Sequence, residues 1–523
     1  MADVVRETER KYAADDDTTL PDLLVRGVGT AVEQGTVRLD ATYFDTAAGR
    51  LAADGVTLRR RTGGGDDGWH LKLPVEPGVR DEIREPLSGG PTSGDVPAAL
   101  TALVRSRVRE EPLVPVMRLR TERRVLHLLD ASGALLVEVA VDRVRAERLP
   151  GGGTAAWTEI ETESAEGAPA KLLDRIGKRL RAAGVRRAPD TSKLARALAE
   201  TGAPDGSAAG TEAHGEVVHP VKPPRPYGDP GPTAGEHVLH YVRAQRDALV
   251  FLDPAVRRGL PDAVHRMRVA TRRLRSCFRS YRRVLDRAAT DPLRAELKWL
   301  AGELGVDRDH EVLTARLTER LAELPQGLQP GPVRLAPVRA RLLAPAAPTG
   351  ERPPLAATLD GARYLALLDA LDALLREPPL RPKASRPAAK ATAKAVTRDF
   401  DRLATRVGRA LATPAGPERD TALHEARKAA KRARYAAEAA RPALGKDAKR
   451  QQKRMTRVQD LLGEHQDGVV AREALERVAR EAHAAGEETF TYGMLYASER
   501  ALAEEYEREL PALWRKVADA APL

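Results

Sequence analysis

Arg6-Glu7-Thr8-Glu9-Arg10-Lys11-Tyr12 sets Glu7, Glu9 and Lys11 two residues apart. On a strand, where side chains alternate between faces, all three project from one side. The same parity recurs along the first 200 residues. It is found at Arg59 and Arg61; at Arg80, Glu82 and Arg84; at Arg118, Arg120 and Arg124; at Glu138 and Asp142; and at Glu159, Glu161 and Glu163. The opposite positions hold Val, Leu and Ile suited to packing against helices. Like charges side by side on one sheet face repel, so Glu159, Glu161 and Glu163 need a compensating charge, which a divalent metal supplies. A closed antiparallel barrel with a charged lumen fits. Carboxylates there hold hard cations, and Arg and Lys hold a polyanion. An all-oxygen donor set suits Mg²⁺ or Mn²⁺ better than zinc.

Outward from that strand, the chain runs to 523 residues with a net charge of +11. Its charge is unevenly shared: residues 1–200 hold 31 basic and 32 acidic groups, residues 201–523 hold 55 and 43. The whole cationic excess lies in the second part, which points to an anionic partner there. One cysteine, Cys277, excludes an intramolecular disulfide framework and Cys-rich zinc modules. It reads as core packing. No apolar run approaches the ~20 residues that span a bilayer, and the charged N-terminus has no apolar signal region. A cytoplasmic location is therefore expected. Aromatic residues at 4% weaken the case for a base-stacking platform, and nucleic acid is not the expected partner.

A Pro/Gly-rich linker is expected at 202–233, between a strand-rich first domain (1–201) and a long helical second one (234–515). A breaker region at 344–354 and another near 378–387 divide the helical part, with halves at about 234–343 and 388–515. That part repeats itself. Residues 265–275 read HRMRVATRRLR and residues 424–434 read HEARKAAKRAR, 159 residues apart; LGVDRDHEV from Leu304 and LGEHQDGVV from Leu462 lie 158 apart. At ~100° per residue, His265, Arg268, Arg272 and Arg275 share one helix side with Arg273 at its flank. His424, Arg427, Lys431 and Arg434, flanked by Arg432, do the same in the second copy. Cations three or four apart repel unless an anion bridges them. Two such stripes facing each other make a channel for a phosphate chain. The lone histidines His127, His310 and His465 read as structural.

Glu7-x-Glu9-x-Lys11, Tyr43-Phe44-Asp45-Thr46, Leu58-Arg59-Arg60-Arg61, Trp69-x-Leu71-Lys72 and the late Glu-x-Glu-x-Glu strand, taken in order, resemble the CYTH domain, the triphosphate tunnel metalloenzyme superfamily, over about residues 1–200. The resemblance implies an eight-stranded antiparallel tunnel with flanking helices, binding a linear triphosphate and hydrolysing its terminal phosphoanhydride. It implies metal-binding or water-positioning roles for Glu7, Glu9, Glu82, Asp142, Glu159, Glu161 and Glu163. Lys11, Arg59, Arg61, Lys72, Arg80, Arg120 and Lys193 (the last in Ser192-Lys193-Leu194) would hold phosphate oxygens. Such chemistry needs positioning and charge neutralisation more than a nucleophile, and the Gly63-Gly64-Gly65 run reads as a hairpin turn, not a phosphate cradle.

The helical part resembles the CHAD domain over about residues 234–515, on His265-x-x-Arg268-x-x-x-Arg272-Arg273-x-Arg275 with Leu304-Gly305-x-x-Arg308-Asp309. The second copy supplies His424-x-x-Arg427-Lys428-x-x-Lys431-Arg432-x-Arg434-Tyr435 with Leu462-Gly463-x-x-Gln466-Asp467. This implies two pseudo-symmetric helical bundles whose basic groove binds inorganic polyphosphate through those His, Arg and Lys residues. Gln466 stands where the first copy has Arg308, an asymmetry in the groove. Together the two resemblances imply a metal-dependent inorganic triphosphatase carrying a polyphosphate-binding domain. A polyphosphate-targeting adaptor with a weak or inactive tunnel is the alternative. Tripolyphosphate, thiamine triphosphate and nucleotide remain open as tunnel substrates, as do the pairing of glutamates with metals and the oligomeric state.

Overall fold

A computed structural model describes residues 3–76, 78–87, 95–169, 171–188, 192–202, 231–324, 338, 340–342 and 354–520, with the side chains of 306–311 excepted. The chain divides into two compact units, Met1–Arg225 and Pro226–Leu523. Most of the expected linker (203–230) and the breaker at 344–353 lie outside the described residues.

Eight strands build the first unit: β1 (Asp3–Ala14), β2 (Thr30–Asp45), β3 (Thr57–Thr62), β4 (Gly68–Glu76), β5 (Val79–Glu85), β6 (Val114–Leu129), β7 (Leu135–Arg148) and β8 (Thr154–Ser164). They close into an antiparallel barrel in the order β1-β5-β4-β3-β2-β6-β7-β8. β1 is the seam: Asp3–Thr8 pair with β5, and Glu9–Ala14 pair with β8. The Gly63–Gly65 run joins β3 to β4, where Gly63 and Gly64 take φ values of 88° and 86°. A Cβ at Gly63 would stand 2.1 Å from the Arg38 carbonyl oxygen, so the turn requires glycine there.

The alternation seen in the sequence sorts apolar side chains outward to two helices. After the short α1 (Arg50–Ala53), α2 (Ala98–Val108) sets Leu100, Val104 and Val108 against Leu58, Trp69, Leu71 and Ile83. Helix α3 (Leu172–Ala182) sets Leu173, Ile176 and Leu180 against Tyr12, Val137, Val139 and Ile160. Each large apolar side chain so buried contributes roughly 1.5–3 kcal/mol. A third helix, α4 (Lys193–Glu200), is capped at its start by the Ser192 side chain. Its Leu194 and Ala197 pack on Met117, Leu119, Val144 and Trp157. Val144 and Trp157 share parity with Asp142 and Glu159, so α4 closes one end of the barrel interior.

The second unit is helical: α5 (Ala234–Arg257), α6 (Ala263–Ser280), α7 (Arg287–Glu303), α8 (Val306–Glu323), α9 (Leu355–Asp360), α10 (Ala362–Arg376), α11 (Ala388–Ala412), α12 (Pro417–Ala439), α13 (Arg441–Ala484) and α14 (Phe490–Ala518). Thr233 and Glu236 form a reciprocal cap at the start of α5. One core gathers α5, α6 and α7 with Leu359, Tyr364, Leu368 and Leu371 of α9 and α10. A second gathers α11, α12, α13 and α14. Among its described side chains helix α8 does not join the first: its Leu317 and Leu321 pack with Leu475 of α13 and Tyr492 and Leu495 of α14. On α12 the packing face is Ala426, Ala429, Ala430 and Ala433, small side chains that let neighbouring helices approach closely.

Candidate functional site

The lumen of the barrel is a cavity of about 240 Å³. Glu7, Glu9, Lys11, Arg59, Arg61, Lys72, Arg80, Glu82, Glu161, Glu163 and Lys193 line it, joined by Arg84, Arg123 and Glu138. Register explains the mixture. Glu7 lies opposite Arg80, Lys72 opposite Glu82, Lys11 opposite Glu161, and Glu9 opposite Glu163. Directly opposed side chains on one sheet face are close enough to interact. Asp142 and Glu159, also opposed, lie buried beside the cavity.

At the end closed by α4, the Lys193 ammonium lies 2.8 Å from Asp142, 2.9 Å from Glu159 and 2.6 Å from Glu161. Lys11 also pairs with Glu161. Arg123 grips Asp142 through two hydrogen bonds of 2.8 and 2.7 Å and donates a third of 2.7 Å to Glu161. Burial alone would raise the Glu161 and Asp142 carboxyls, but these cations hold Glu161 well below the usual carboxylate range and Asp142 below it as well. Trp157 Nε1 donates to Glu159 at 2.7 Å.

The far side of the lumen is balanced differently. Lys72 pairs with Glu7 and lies 3.5 Å from Glu82, and Arg84 meets Glu82 at 2.6 Å. His70, buried at 1% exposure, has its Nδ1 3.0 Å from Glu82. Burial pushes its imidazole down to about 4, so it is neutral and orients that carboxylate. Burial pushes the Glu7 carboxyl up to about 7 against the pull of Lys72, and Glu163 is raised as well. Burial, aided by the neighbouring Arg59, lowers Arg61 to about 9. The lumen therefore pairs one tightly neutralised carboxylate group with another whose members repel each other.

In the helical unit the two repeated stripes meet. Lys431 is pushed down to about 8 by burial and by the nearby cations Arg427, Arg272 and Arg268. The Leu-Gly elements make room for them. A Cβ on Gly305 would lie 2.9 Å from Arg268 Nη2, and Gly463 is covered in the same way by Arg427. Arg427 also reaches Asp467 at 3.2 Å, and His424 Nδ1 hydrogen-bonds Gln466.

Residues 5–198 match the CYTH domain family, and residues 240–476 match the CHAD domain family. The chain is a CYTH–CHAD protein. It is 40% identical over 533 aligned residues to an uncharacterised protein of Mycobacterium tuberculosis, Rv2226, covering 98% of this chain and 96% of that one. Among solved structures it is similar to PptA from Streptomyces chartreusis (22% identity, 55% of this chain and all of that one, TM-score 0.42). It is also similar to the CHAD domain of the plant Ricinus communis (22%, 56% and 94%, TM-score 0.42). A third is a Hippeastrum adenylyl cyclase candidate, HpAC1, described as having a dominant triphosphatase activity (19%, 39% and 96%, TM-score 0.24). CYTH domains are often triphosphatases or cyclases and typically use divalent metals.

In this CYTH–CHAD protein one expected phosphate ligand lies elsewhere. Arg120 is 56% exposed and sits near Asp40 and Glu147 on the outer side of the barrel. The inward positions of β6 are Met117, Leu119, Thr121 and Arg123, and Arg123 supplies the lumen cation. Arg84 and Glu138 carry the right parity in the sequence but have no place in the motifs. In the CHAD unit, Arg273 and Arg432 are pinned at the flank to Glu438 and Asp399, at 2.7 and 2.9 Å. Arg275 stands beside Arg272 and Arg279, Arg434 donates to Gln459 at 2.7 Å, and Lys428 turns outward to Glu425. His265 is exposed, and the Arg308 and His310 side chains lie outside the described residues.

The lumen carboxylates fit a hard cation. Asp142, Glu159 and Glu161 place three oxygens within 4.8 Å of one another. The Lys193 ammonium stands at their convergence as a cationic stand-in. Glu159 Oε1 is buried without a hydrogen-bond partner, although it lies 2.9 Å from the ammonium. A second trio, Asp420, His465 and Glu507, is already neutralised by Arg472 and Arg419 at 3.2 and 2.9 Å.

Proposed function

We propose that the protein is a metal-dependent inorganic triphosphatase, releasing phosphate and diphosphate from tripolyphosphate, whose helical domain binds inorganic polyphosphate. On this reading residues 1–201 form the catalytic domain and residues 234–515 the binding domain. The observation that carries it is the buried lumen in which carboxylates and cations alternate, a composition suited to a metal-bound polyanion and to little else. Lys11, Arg59, Arg61, Lys72 and Arg80, with Arg84 and Arg123, would hold the phosphate oxygens and spread the developing charge. Glu7, Glu9, Asp142, Glu159, Glu161 and Glu163 would hold Mg²⁺ or Mn²⁺, which supplies charge neutralisation and an activated water. Glu82, fixed by His70 and Arg84, orients Lys72. Attack of water on the terminal phosphorus breaks its bond to the bridging oxygen, which leaves with the diphosphate.

The test is phosphate release from tripolyphosphate with Mg²⁺ or Mn²⁺, comparing wild type with Glu7→Ala and Glu161→Ala. The expected result is turnover by wild type and a loss of ~10²-fold or more in each variant. Equal, negligible release from all three supports the second reading, a polyphosphate-targeting adaptor. Lys193 favours that alternative, because its ammonium already lies within ion-pair distance of three carboxylates. No helix among the described residues is long and apolar enough to cross a membrane, and a cytoplasmic site of action belongs to the proposal.

A further inference from the structure

The cationic stripe of α6 continues beyond its repeated segment. After Arg275 comes Arg279, and Arg282 and Arg283 follow in the turn just beyond the end of the helix. Helix α11 has a row of cations of its own, Lys390, Lys394, Arg398, Arg402 and Arg406, at strict four-residue spacing, which winds ~40° per step so that Arg398 and Arg402 share a side. Duplication accounts for little of it: only Arg402 has a cationic counterpart, Arg243. At the repeat offset of 159, the counterparts of Lys394, Arg398 and Arg406 are Gly235, Leu239 and Asp247, and the counterpart of Arg279 is Glu438.

The fold brings these stripes together. Arg398 donates to the Ser280 carbonyl at the end of α6, and the Ser280 hydroxyl donates to Asp399 of α11. Asp399 also meets Arg432 of α12 at 2.9 Å and Arg402 at 3.6 Å. One buried carboxylate thus anchors a much larger positive cluster. Among the described residues, Arg279, Arg282, Arg283 and Arg398 make no ion pair with a carboxylate. Arg432 is 6% exposed, and its Nη2 has no hydrogen-bond partner, which costs stability until an acceptor arrives. Burial first, and then cationic neighbours, lowers Arg279, Arg398 and Arg432 from the ordinary guanidinium value, with Asp399 as the opposing charge. The cluster is continuous with the groove: Arg275 adjoins Arg272 and Arg279, and Arg272 adjoins Lys431.

We propose that the junction of α6, α11 and α12 is a second anion subsite that takes the extension of a long polyphosphate chain lying in the repeated groove, so that affinity depends on chain length. From Arg268 to Arg279 the helix rises ~16 Å, beyond the reach of a three-phosphate chain. The cations are partly sunk among helices, accessible to a slender chain, and none of the exposed aromatic side chains among the described residues stands with them to stack a base. The inference rests on the reading of the helical unit as a polyphosphate binder.

The test measures binding of short-chain and long-chain polyphosphate to the full-length protein. Wild type should prefer the long chain. Arg398→Ala/Arg402→Ala should lose about tenfold or more on long chains and leave short-chain binding unchanged, while Arg398→Lys/Arg402→Lys retains most of the preference. Arg427→Ala/Lys431→Ala should weaken both lengths. If the alanine pair melts early, Arg402→Gln, altering a side chain 36% exposed, replaces it. Unchanged long-chain affinity, or equal loss on both lengths, overturns the subsite and leaves the groove standing. Failure of wild type to bind either length overturns both. Duplex DNA displacing long-chain polyphosphate at equal phosphate concentration overturns the ligand class.

Discussion

Arg120 and Arg123 differ by three positions and lie on opposite faces of one strand. Arg123→Ala should lower phosphate release by ~10²-fold, because Asp142 and Glu161 lose their shared partner. Arg120→Ala should stay near wild type, since exposed pairs contribute little. Steady-state assays of both variants distinguish the faces. Two-residue spacing tells which charges share a side, but not which side is inside. On β6 the inward positions begin with Met117 and Leu119, which read as an outward packing face until α4 is seen to fill that end of the barrel. Elsewhere the charges themselves were legible, because β4 and β5 place them inward without a large apolar lead. Lys431 supplies a pH signature. Its ammonium is lowered to about 8, against 10.5 for an ordinary lysine, so the fold is penalised below pH 8 and gains stability as pH rises toward 10.5. A bound polyanion reverses the preference. Polyphosphate binding between those pH values should therefore take up protons and weaken as pH rises, as calorimetry in buffers of different ionisation heat would measure.

Helix placement is where motif spacing gives out. Gly177 on α3 faces Tyr12, and a Cβ there would stand 2.5 Å from the tyrosine hydroxyl. Tyr12 is fully buried and follows Lys11 on β1. Gly177→Ala should cost ~1–3 kcal/mol by overpacking, visible in urea unfolding, with activity retained in the folded fraction. Helix α4 works through charge as well as packing. Removing one partner from a buried ion cluster costs ~3–5 kcal/mol, so Lys193→Ala should melt early in chelator. Mg²⁺ or Mn²⁺ should restore much of the loss, since the freed carboxylates then have a cation. Equal melting with and without metal would remove the carboxylate trio from consideration as a metal site. Helix α8 shows why contact partners were hidden: its Leu317 and Leu321 have ordinary helical spacing, and nothing in that spacing says they pack on α13 and α14.

At the scale of the molecule, the excess of positive charge proves to be one of two designs. The barrel unit is near neutrality because every phosphate-holding cation needs carboxylates beside it, while residues 201–523 carry the whole cationic excess, 55 basic against 43 acidic groups. Salt should separate the two. Exposed charges are screened within ~8 Å at physiological ionic strength, whereas buried ones are screened much less. Raising salt should thus weaken polyphosphate binding steeply and tripolyphosphate turnover far less, which parallel titrations would show. The closed strand order carries a further consequence for biosynthesis. β1 leaves the ribosome first, yet half of it pairs with β8, some 150 residues later. Glu9 and Lys11 therefore wait for Glu163 and Glu161 until most of the unit has been made, and ring closure and assembly of the lumen are one event. A nascent chain arrested before residue 154 would hold seven strands, an open seam and half a site.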